Sequence, residues 1–540
     1  MRKLNVLTLL ASFFLLVGCT NSKSNTSSSD SIDESIESED PIKMEKDDSP
    51  DYVIEDSSNI NGSASYELFV RSFYDHDGNG KGDFLGVKEK IPYLAKLGIK
   101  TVWLMPIFPS PTYHGYDITD YYNVNSDFGT LADFDAMVEE ADKYHIDIML
   151  DMVFNHCSKK HDWFTQAQAD YSSDYDGEDS KKDWFVFNGS SMSYEARFDS
   201  SMPDFNLDCQ GVRDEMENIT KFWIDHGVKG FRLDAVLYYY YNNTAQNVAF
   251  MNWLVETAHK YDPNFYFVGE CWASDAIVNS YYESNINSFF RFGNSTSGGE
   301  TSMINFMKGK GRSSVLLNNI QKNEENMKKK HATSYSSYFL SNHDQDRVSH
   351  NFDEMQYKCA ASFYMLLPGT PFMYYGEEIA MKGKRKTSPD DYSDVRRRLP
   401  MVWSKDNKTG ECEFPEKNRQ DLNKNNNQVE LGADDLENQA FSLLKHYQRV
   451  ISIRNKYDVF KNGVFTSLYD QLNTEDTAVY AFKIQDDDES VIIVHNANAN
   501  NIEVTAPGTE ILDTINTSHR IPKLEGNKLT LGAYSTVVMK

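Results

Sequence analysis

Eight short apolar runs recur along the chain, each ending in polar or charged residues: Tyr66 to Phe73, Thr101 to Met105, Asp147 to Val153, Gly230 to Asp234, Tyr266 to Glu270, Ile286 to Phe292, Tyr335 to Leu340 and Pro371 to Tyr375. Helix-like stretches separate most of them, at Val87 to Leu97, Leu131 to Tyr144, Val212 to His226 and Ala245 to Lys260. A strand buried on both faces reads as a continuous apolar run, and a helix between two such runs returns the chain for parallel pairing. Eight such strands predict an α/β fold, a (β/α)8 TIM barrel. A further helical stripe within Gln439 to Ile453, made by Phe441, Leu444, Tyr447 and Ile451, is placed to close it. Beyond Val459 the pattern becomes short strands, such as Ala478 to Ile484, Val491 to His495 and Ala533 to Val538, which predict a C-terminal β-sandwich domain.

Spacing sharpens this reading, because one barrel unit is about 30 residues. Asp234 to Glu270 is 36 residues, Asp344 to Tyr375 is 31, and Glu270 to Asp344 is 74, or two long units. Asp151 to Asp234 is 83, which leaves room for a small inserted domain after strand 3, at about 157–206. The expected organisation is a barrel over 63–456 that includes this insertion, and a sandwich over 457–540. Polar residues at the C-terminal ends of the strands converge on one mouth.

The two ends of the chain differ. Arg2 and Lys3 precede an apolar run from Leu4 to Val17, which is too short to span a bilayer and reads as a signal peptide over 1–18. It closes on Leu16-Val17-Gly18-Cys19, which resembles a bacterial lipobox, so cleavage and lipidation at Cys19 are expected. From Thr20 to Gly62, twelve acids and three lysines among Ser and Asn predict a disordered acidic tether. The expected location is the bacterial cell envelope, outside the cytoplasm, with the membrane reached only through the lipid. The net charge of −27 argues against binding to nucleic acid and favours neutral ligands or metal cations. After Cys19, five cysteines remain with no CxxC pair, which is neither a disulfide framework nor a zinc site; one Cys157–Cys209 bridge stays open. The Arg396-Arg397-Arg398 run reads as a solvated, salt-bridged face.

Four strand ends carry the candidate chemistry: DMVFNH (Asp151 to His156), GFRLDAV (Gly230 to Val236), GECW (Gly269 to Trp272) and FLSNHD (Phe339 to Asp344). In order and spacing they resemble the four sequence regions of the α-amylase family of glycoside hydrolases, family 13. MPDFN (Met202 to Asn206), YHGYD (Tyr113 to Asp117) and PGTPFMYYGEE (Pro368 to Glu378) extend the resemblance, which runs from about Ser63 to the C-terminus. It implies Asp234 as nucleophile, Glu270 as acid/base and Asp344 as the residue that binds sugar hydroxyls and favours the distorted transition state. Retaining hydrolysis needs two such carboxyl groups on one cleft. Arg232, two residues before Asp234, points to the same side of its strand and supplies a permanent cation. By the resemblance His156 and His343 hydrogen-bond the sugar, Tyr116 is a stacking platform, and Asp151 is a structural partner of Arg232.

Asp75-His76-Asp77-Gly78-Asn79-Gly80-Lys81-Gly82-Asp83 copies the first nine positions of an EF-hand loop. Asp75, Asp77, Asn79, the Lys81 carbonyl and Asp83 are the candidate ligands of a structural Ca2+. Position twelve is Gly86, so the loop is not an EF-hand. A second family calcium site uses the position of Asn155, but Val236-Leu237-Tyr238 stand where Lys-His often follows the nucleophile.

The resemblance implies retaining endo-hydrolysis of α-1,4-glucans such as starch and maltooligosaccharides, since relatives that cut α-1,6 bonds from chain ends usually carry Asp at the position of Tyr113. An oligo-α-1,6-glucosidase, a pullulan hydrolase or a glucosyltransferase of the same fold stays open. So does a starch-binding lipoprotein on a dead barrel, although the intact Asp234, Glu270 and Asp344 oppose it. The expected partner is an α-glucan, and the expected state a monomer.

Overall fold

The eight apolar runs fold as eight parallel strands: β1 (Ser65–Leu68), β2 (Thr101–Leu104), β3 (Asp147–Met152), β4 (Gly230–Leu233), β5 (Tyr266–Gly269), β6 (Ser288–Phe290), β7 (Tyr335–Ser337) and β8 (Phe372–Tyr374). This computed structural model describes residues 62–540 except 190–191, 297, 299–301, 386–393, 416–428 and 518–521. The signal peptide, Cys19 and nearly all of the tether lie outside the described residues. Among the described residues no helix is long and apolar enough to cross a membrane.

The strands follow chain order from β1 to β7, and β8 pairs with β1. The ring closes between β7 and β8 through a Phe339–Phe372 bridge, with Thr370 N–H donating to Ser336 O (3.1 Å) and Phe372 N–H to Tyr338 O (2.8 Å). Two apolar layers explain why the runs are apolar throughout. Trp103, Met149, Tyr266, Val268, Phe290, Phe292, Phe339 and Phe372 fill the barrel axis. Alternate strand residues such as Val102, Ile148, Phe231 and Phe267 pack outward in the larger cluster shared with the helices.

The strands stop earlier than the apolar runs, because the last residues of each run turn into the mouth. After Leu68 the chain forms a 3-10 turn at Val70–Ser72, and after Leu233 it turns at Ala235. Helix starts follow local chemistry. Asp83 caps Phe84–Leu97 by accepting from Gly86 N–H, and Thr130 forms a capping box with Asp133 for Leu131–Lys143. The closing helix is Leu443–Lys456, beginning four residues after the expected Gln439 because Ser442 is the residue that caps it. Three long helices escaped the pattern: Asp162–Ser173 in the insertion, Glu354–Met365, and Ser313–Lys330, whose inner face is narrow and includes buried Glu324.

The insertion after β3 holds the helix Asp162–Ser173 and a hairpin of Phe187–Asn188 with Ser193–Tyr194. Its end is tied to the barrel mouth by a His156–Asp204 bridge and by Phe205 N–H donating to Asn155 O (3.0 Å). At the C-terminus a five-stranded antiparallel sheet centred on Val479–Gln485 and Ser490–Asn496 accompanies a three-stranded one. Asp513 of the larger sheet accepts from Arg449 (2.9 Å), Lys456 (2.7 Å) and Tyr457 (2.6 Å), on or just after the closing helix. Cys157, Cys209, Cys271, Cys359 and Cys412 are all free thiols, so the Cys157–Cys209 bridge does not form.

Candidate active site

Strand register brings the candidate carboxylates together. Leu233 pairs with Gly269, so Asp234 and Glu270, each the next residue, leave adjacent strands side by side. Gly269 is required here, because a Cβ would lie 2.4 Å from the Phe289 ring. Arg232 pairs across β3 with Asp151 and is fully buried. Its Nη1 donates to Asp151 Oδ1 (2.8 Å) and Asp234 Oδ1 (2.6 Å), and its Nη2 lies 3.3 Å from Glu270 Oε2. One guanidinium therefore serves three carboxyl groups. Immediately after Asp234 the chain enters the left-handed region at Ala235 (φ 52°), and the Ala235 N–H donates to Glu270 Oε2 (2.9 Å).

Electrostatics separates these groups. Burial raises the Glu270 carboxyl to about 7; Arg232 opposes this, while Asp234 and Asp344 add to it. Burial likewise raises Asp151 to about 6 despite Arg232. Asp344, past β7, behaves in the opposite way: burial pushes its pKa up, but His343, Arg398 and Arg232 together hold it well below the usual carboxylate range. Its Oδ2 lies 3.1 Å from His343 Nε2 and its Oδ1 accepts from Arg398 Nη2 (2.9 Å). His343 is raised to about 9: burial acts against the charged ring, and Asp344 and Glu67 outweigh it. Its Nδ1–H donates to Glu67 Oε1 at 2.5 Å, and Nε2 lies 2.6 Å from the Tyr116 hydroxyl, which itself donates to Asp151 Oδ2 (2.9 Å). The Tyr116 and His343 rings are nearly parallel, 5.7 Å apart. His156 is buried, burial keeps its ring from protonating, and its Nδ1 accepts from Asn155 Nδ2 (3.2 Å). Asp234 and a backbone hydrogen bond to Tyr116 act against that burial, and the buried Nε2 faces the site.

All seven candidate site residues thus lie in one connected network or along its rim. Four contributors were not legible in the sequence. Arg398 is buried, not part of a solvated face: it grips Asp344 and the His343 carbonyl (3.2 Å), while Arg397 donates to the Asp344 carbonyl (2.6 Å). Three consecutive arginines carry no signal of which one points inward. Glu67, at the end of β1, is the partner of His343, and Trp103 lies under Arg232 at 5.2 Å. Both sit inside apolar runs, where only strand alternation marks them as facing the axis.

The Asp75 loop lies apart from this network. Asp75, Asp77 and Asp83 each offer a carboxylate oxygen within 4.8 Å of the others, and Gly78 (φ 78°) and Gly80 (φ 88°) supply the left-handed turns the loop needs. Oxygen ligands 2.3–2.6 Å from a Ca2+ fall within that separation. Asp75 is already held by the N–H groups of Gly78, Asn79 and Gly80, which shapes the loop as a cradle.

The network can assist displacement at a sugar carbon: a carboxylate fixed by a cation stands beside a carboxyl group that keeps its proton near neutral pH. Comparison with known proteins agrees. Residues 67–463 match the family model for the alpha amylase catalytic domain, and 479–538 match that for the alpha-amylase SusG C-terminal domain. Alpha-amylase 3 of Dictyoglomus thermophilum is 35% identical over 491 residues, covering 88% of this chain and 92% of that protein. An oligo-1,6-glucosidase of Parageobacillus thermoglucosidasius is 28% identical over 517 residues, covering 80% and 89%. The solved structure of Eubacterium rectale Amy13B superposes with a TM-score of 0.81 at 32% identity, covering 89% of this chain and 96% of that one. The fold, the matched catalytic region and the relatives agree: this chain belongs to the α-amylase family, glycoside hydrolase family 13, and is a glycoside hydrolase.

Proposed function

We propose that the enzyme hydrolyses internal α-1,4-glucosidic bonds of starch and maltooligosaccharides with retention. One observation carries the mechanism: Asp234 and Glu270 share the Arg232 guanidinium, yet Glu270 retains its proton up to about pH 7. Asp234 attacks the anomeric carbon while Glu270 donates its proton to the leaving oxygen; Glu270 then takes a proton from the water that releases the sugar. Arg232 gives Asp234 a charge-assisted hydrogen bond along the line of its strand. Asp344, kept anionic by His343 and Arg398, accepts from sugar hydroxyls, and His156 hydrogen-bonds the same sugar.

Linkage preference rests on Tyr113. Its ring packs edge-on against Phe69 at 5.4 Å, where relatives acting on α-1,6 chain ends usually have Asp. The 35% identity to a protein named alpha-amylase 3, against 28% to an oligo-1,6-glucosidase, supports the same choice. The test is product analysis over time on amylose, pullulan and isomaltose. A spread of maltooligosaccharides from amylose is expected; glucose from isomaltose with amylose left intact overturns the assignment.

The Asp75 loop fits a structural Ca2+ held by Asp75, Asp77, Asn79, the Lys81 carbonyl and Asp83. The ion's chemistry there would be charge neutralisation that fixes the loop before Phe84–Leu97. A chelator should lower Tm by several degrees, and Asp77→Ala should remove the chelator's effect; a Tm indifferent to chelator rejects the site. The Cys19 lipid anchor predicts that labelled fatty acid enters the wild type and not Cys19→Ser.

A further inference from the structure

Arg347, three residues past Asp344, is a buried guanidinium that pairs with no carboxylate among the described residues. Arg397 and Arg398 do pair, the first with Asp346 (3.0 Å) and Asp394 (2.9 Å), the second with Asp344 (2.9 Å). A charge taken out of water needs compensation. Arg347 finds it in two carbonyl oxygens and two ring faces. Its Nε donates to Arg397 O (2.9 Å) and its Nη1 to Tyr375 O (2.6 Å), and the guanidinium lies 4.2 Å from the Tyr374 ring centre and 4.7 Å from that of Tyr375. An apolar side chain of similar size would fill the space without the desolvation penalty, so the use of the arginine lies in what it holds.

It holds the backbone of the segment that reaches Asp344. Arg398 follows the 3-10 turn Val395–Arg397, outside the barrel sheet, yet its Nη2 has to meet Asp344 Oδ1. The carbonyl of Arg397, next to it in the chain, accepts from Arg347 Nε and from the hydroxyl of Tyr374 (3.0 Å), the last residue of β8. A second contact braces the same segment: Arg347 N–H donates to Gly383 O (2.9 Å), and a Cβ on Gly383 would lie 2.0 Å from Arg396 O, so the two backbones touch. The loop after β7 thus carries both Asp344 and the group that sets where Arg398 stands, and Nη1 ties that group to the end of β8. We propose that Arg347 is a positioning residue for the reaction, holding the Arg397 carbonyl against β8 and so placing the Arg398 guanidinium on Asp344, resting on the reading of Asp344 as the anion that binds sugar hydroxyls. It acts through Arg398 and touches no substrate. Lysine cannot replace it, because one ammonium cannot fork between two carbonyls while lying flat on a tyrosine ring.

Arg347→Lys keeps the charge and should lower kcat/KM on amylose about tenfold, chiefly through kcat, and bring in an acid limb as Asp344 protonates at higher pH. His343, Arg232, Glu270 and Tyr116 also face Asp344 and stay in place, so the limb reports the loss of Arg398. Tyr374→Phe removes only the other donor to the Arg397 carbonyl; it should show the same limb with a loss of about threefold, and serves if Arg347→Lys does not fold. Arg454 is the matched control, buried and donating to the carbonyls of Gly62 (2.7 Å), Met365 (2.6 Å) and Leu367 (2.8 Å), which precede β1 and β8. Arg454→Lys should lower Tm and leave the pH–rate profile unchanged. In an Arg398→Ala background, Arg347→Lys should add less than about twofold to the loss. A further loss of about tenfold in that background, or a fall in Tm with the profile unmoved as in Arg454→Lys, overturns the proposal. Hydrolysis of amylose by Asp344→Asn at the wild-type rate overturns the reading of Asp344 instead. The Asp344 carboxyl followed by NMR then decides Arg347, whose role stands only if Arg347→Lys raises the pH of that titration.

Discussion

Glu270 and Asp344 stand at the same barrel mouth and meet opposite fates. Glu270, with 11% of its side chain exposed, keeps its proton to about pH 7, while the more open Asp344, at 32%, is held ionised far below the normal range. Burial differs in the right direction but does not by itself decide the outcome, since both carboxyl groups are penalised by it. Cation supply does. Glu270 shares Arg232 with Asp151 and Asp234, whereas Asp344 has His343 and Arg398 close against it. An acid and an anion are thus made from two carboxyl groups by allotting one cation among three carboxyl groups at one corner and giving Asp344 two cations at the other, one of them shared with Glu67.

The strongest way to break this comparison is Asp234→Asn. In the proposed mechanism, loss of the Asp234 carboxylate should reduce hydrolysis by about 10⁴-fold. It also removes an anion that raises Glu270, so the Glu270 carboxyl, followed by its infrared band against pH, should titrate below about 7. Substantial residual hydrolysis would remove Asp234 from its role, and an unmoved band would show that burial alone sets Glu270.

Glu270→Gln tests the other member, with an expected loss in kcat/KM of about 10²–10⁴-fold on starch. In the wild type, kcat/KM should decline as pH rises through about 7, because the proton to be donated is lost there; the variant should lack that limb. Stability has a matching sign. A carboxyl raised in the folded state favours folding below its unfolded value and loses that contribution as pH rises through about 7. The variant should therefore gain Tm over the wild type at pH 8 more than at pH 5.

Arg398→Ala addresses the anionic corner. Removing one of two charge-assisted partners should cost about 10–100-fold in kcat/KM. It should also raise the pH at which Asp344 protonates, bringing an acid limb into the pH–rate profile. A loss confined to Tm, with the profile unmoved, would make Arg398 a structural brace only.

The sequence made one half of this comparison visible and hid much of the other. Asp234, Glu270 and Asp344 follow apolar strand runs at barrel spacing, and the eight runs predict the ring because each is apolar on both faces. At the Asp344 corner His343 is the neighbouring residue, but Arg398 lies 54 residues downstream of Asp344, and Glu67, the anion that steadies His343, is 276 residues upstream of it. Neither separation is set by strand or helix periodicity. The helix Ser313–Lys330 was hidden for a related reason, since buried Glu324 interrupts its apolar face to accept from Ser336 (2.6 Å) and Tyr338 (2.7 Å). Polar residues buried for tertiary contacts read as surface until the contacts are known.

Glu67 provides the finest adjustment, and Glu67→Gln the mildest test. The amide oxygen can still accept from His343 Nδ1, so geometry is retained while one negative charge is lost. His343 is raised to about 9 against burial by Asp344 and Glu67 together, and the variant leaves only Asp344 to hold it charged. A histidine raised in the folded state stabilises fully below about pH 6.5 and loses that contribution as pH rises through about 9. In Glu67→Gln the loss should begin at lower pH, so the alkaline decline in Tm should shift toward neutrality. Activity at pH 6, where His343 remains protonated, should fall by no more than about fivefold, with a larger loss at pH 8. If the alkaline decline stays where it is, Glu67 contributes position without charge, and the ionisation of Asp344 rests on Arg398 and on its own contact with His343.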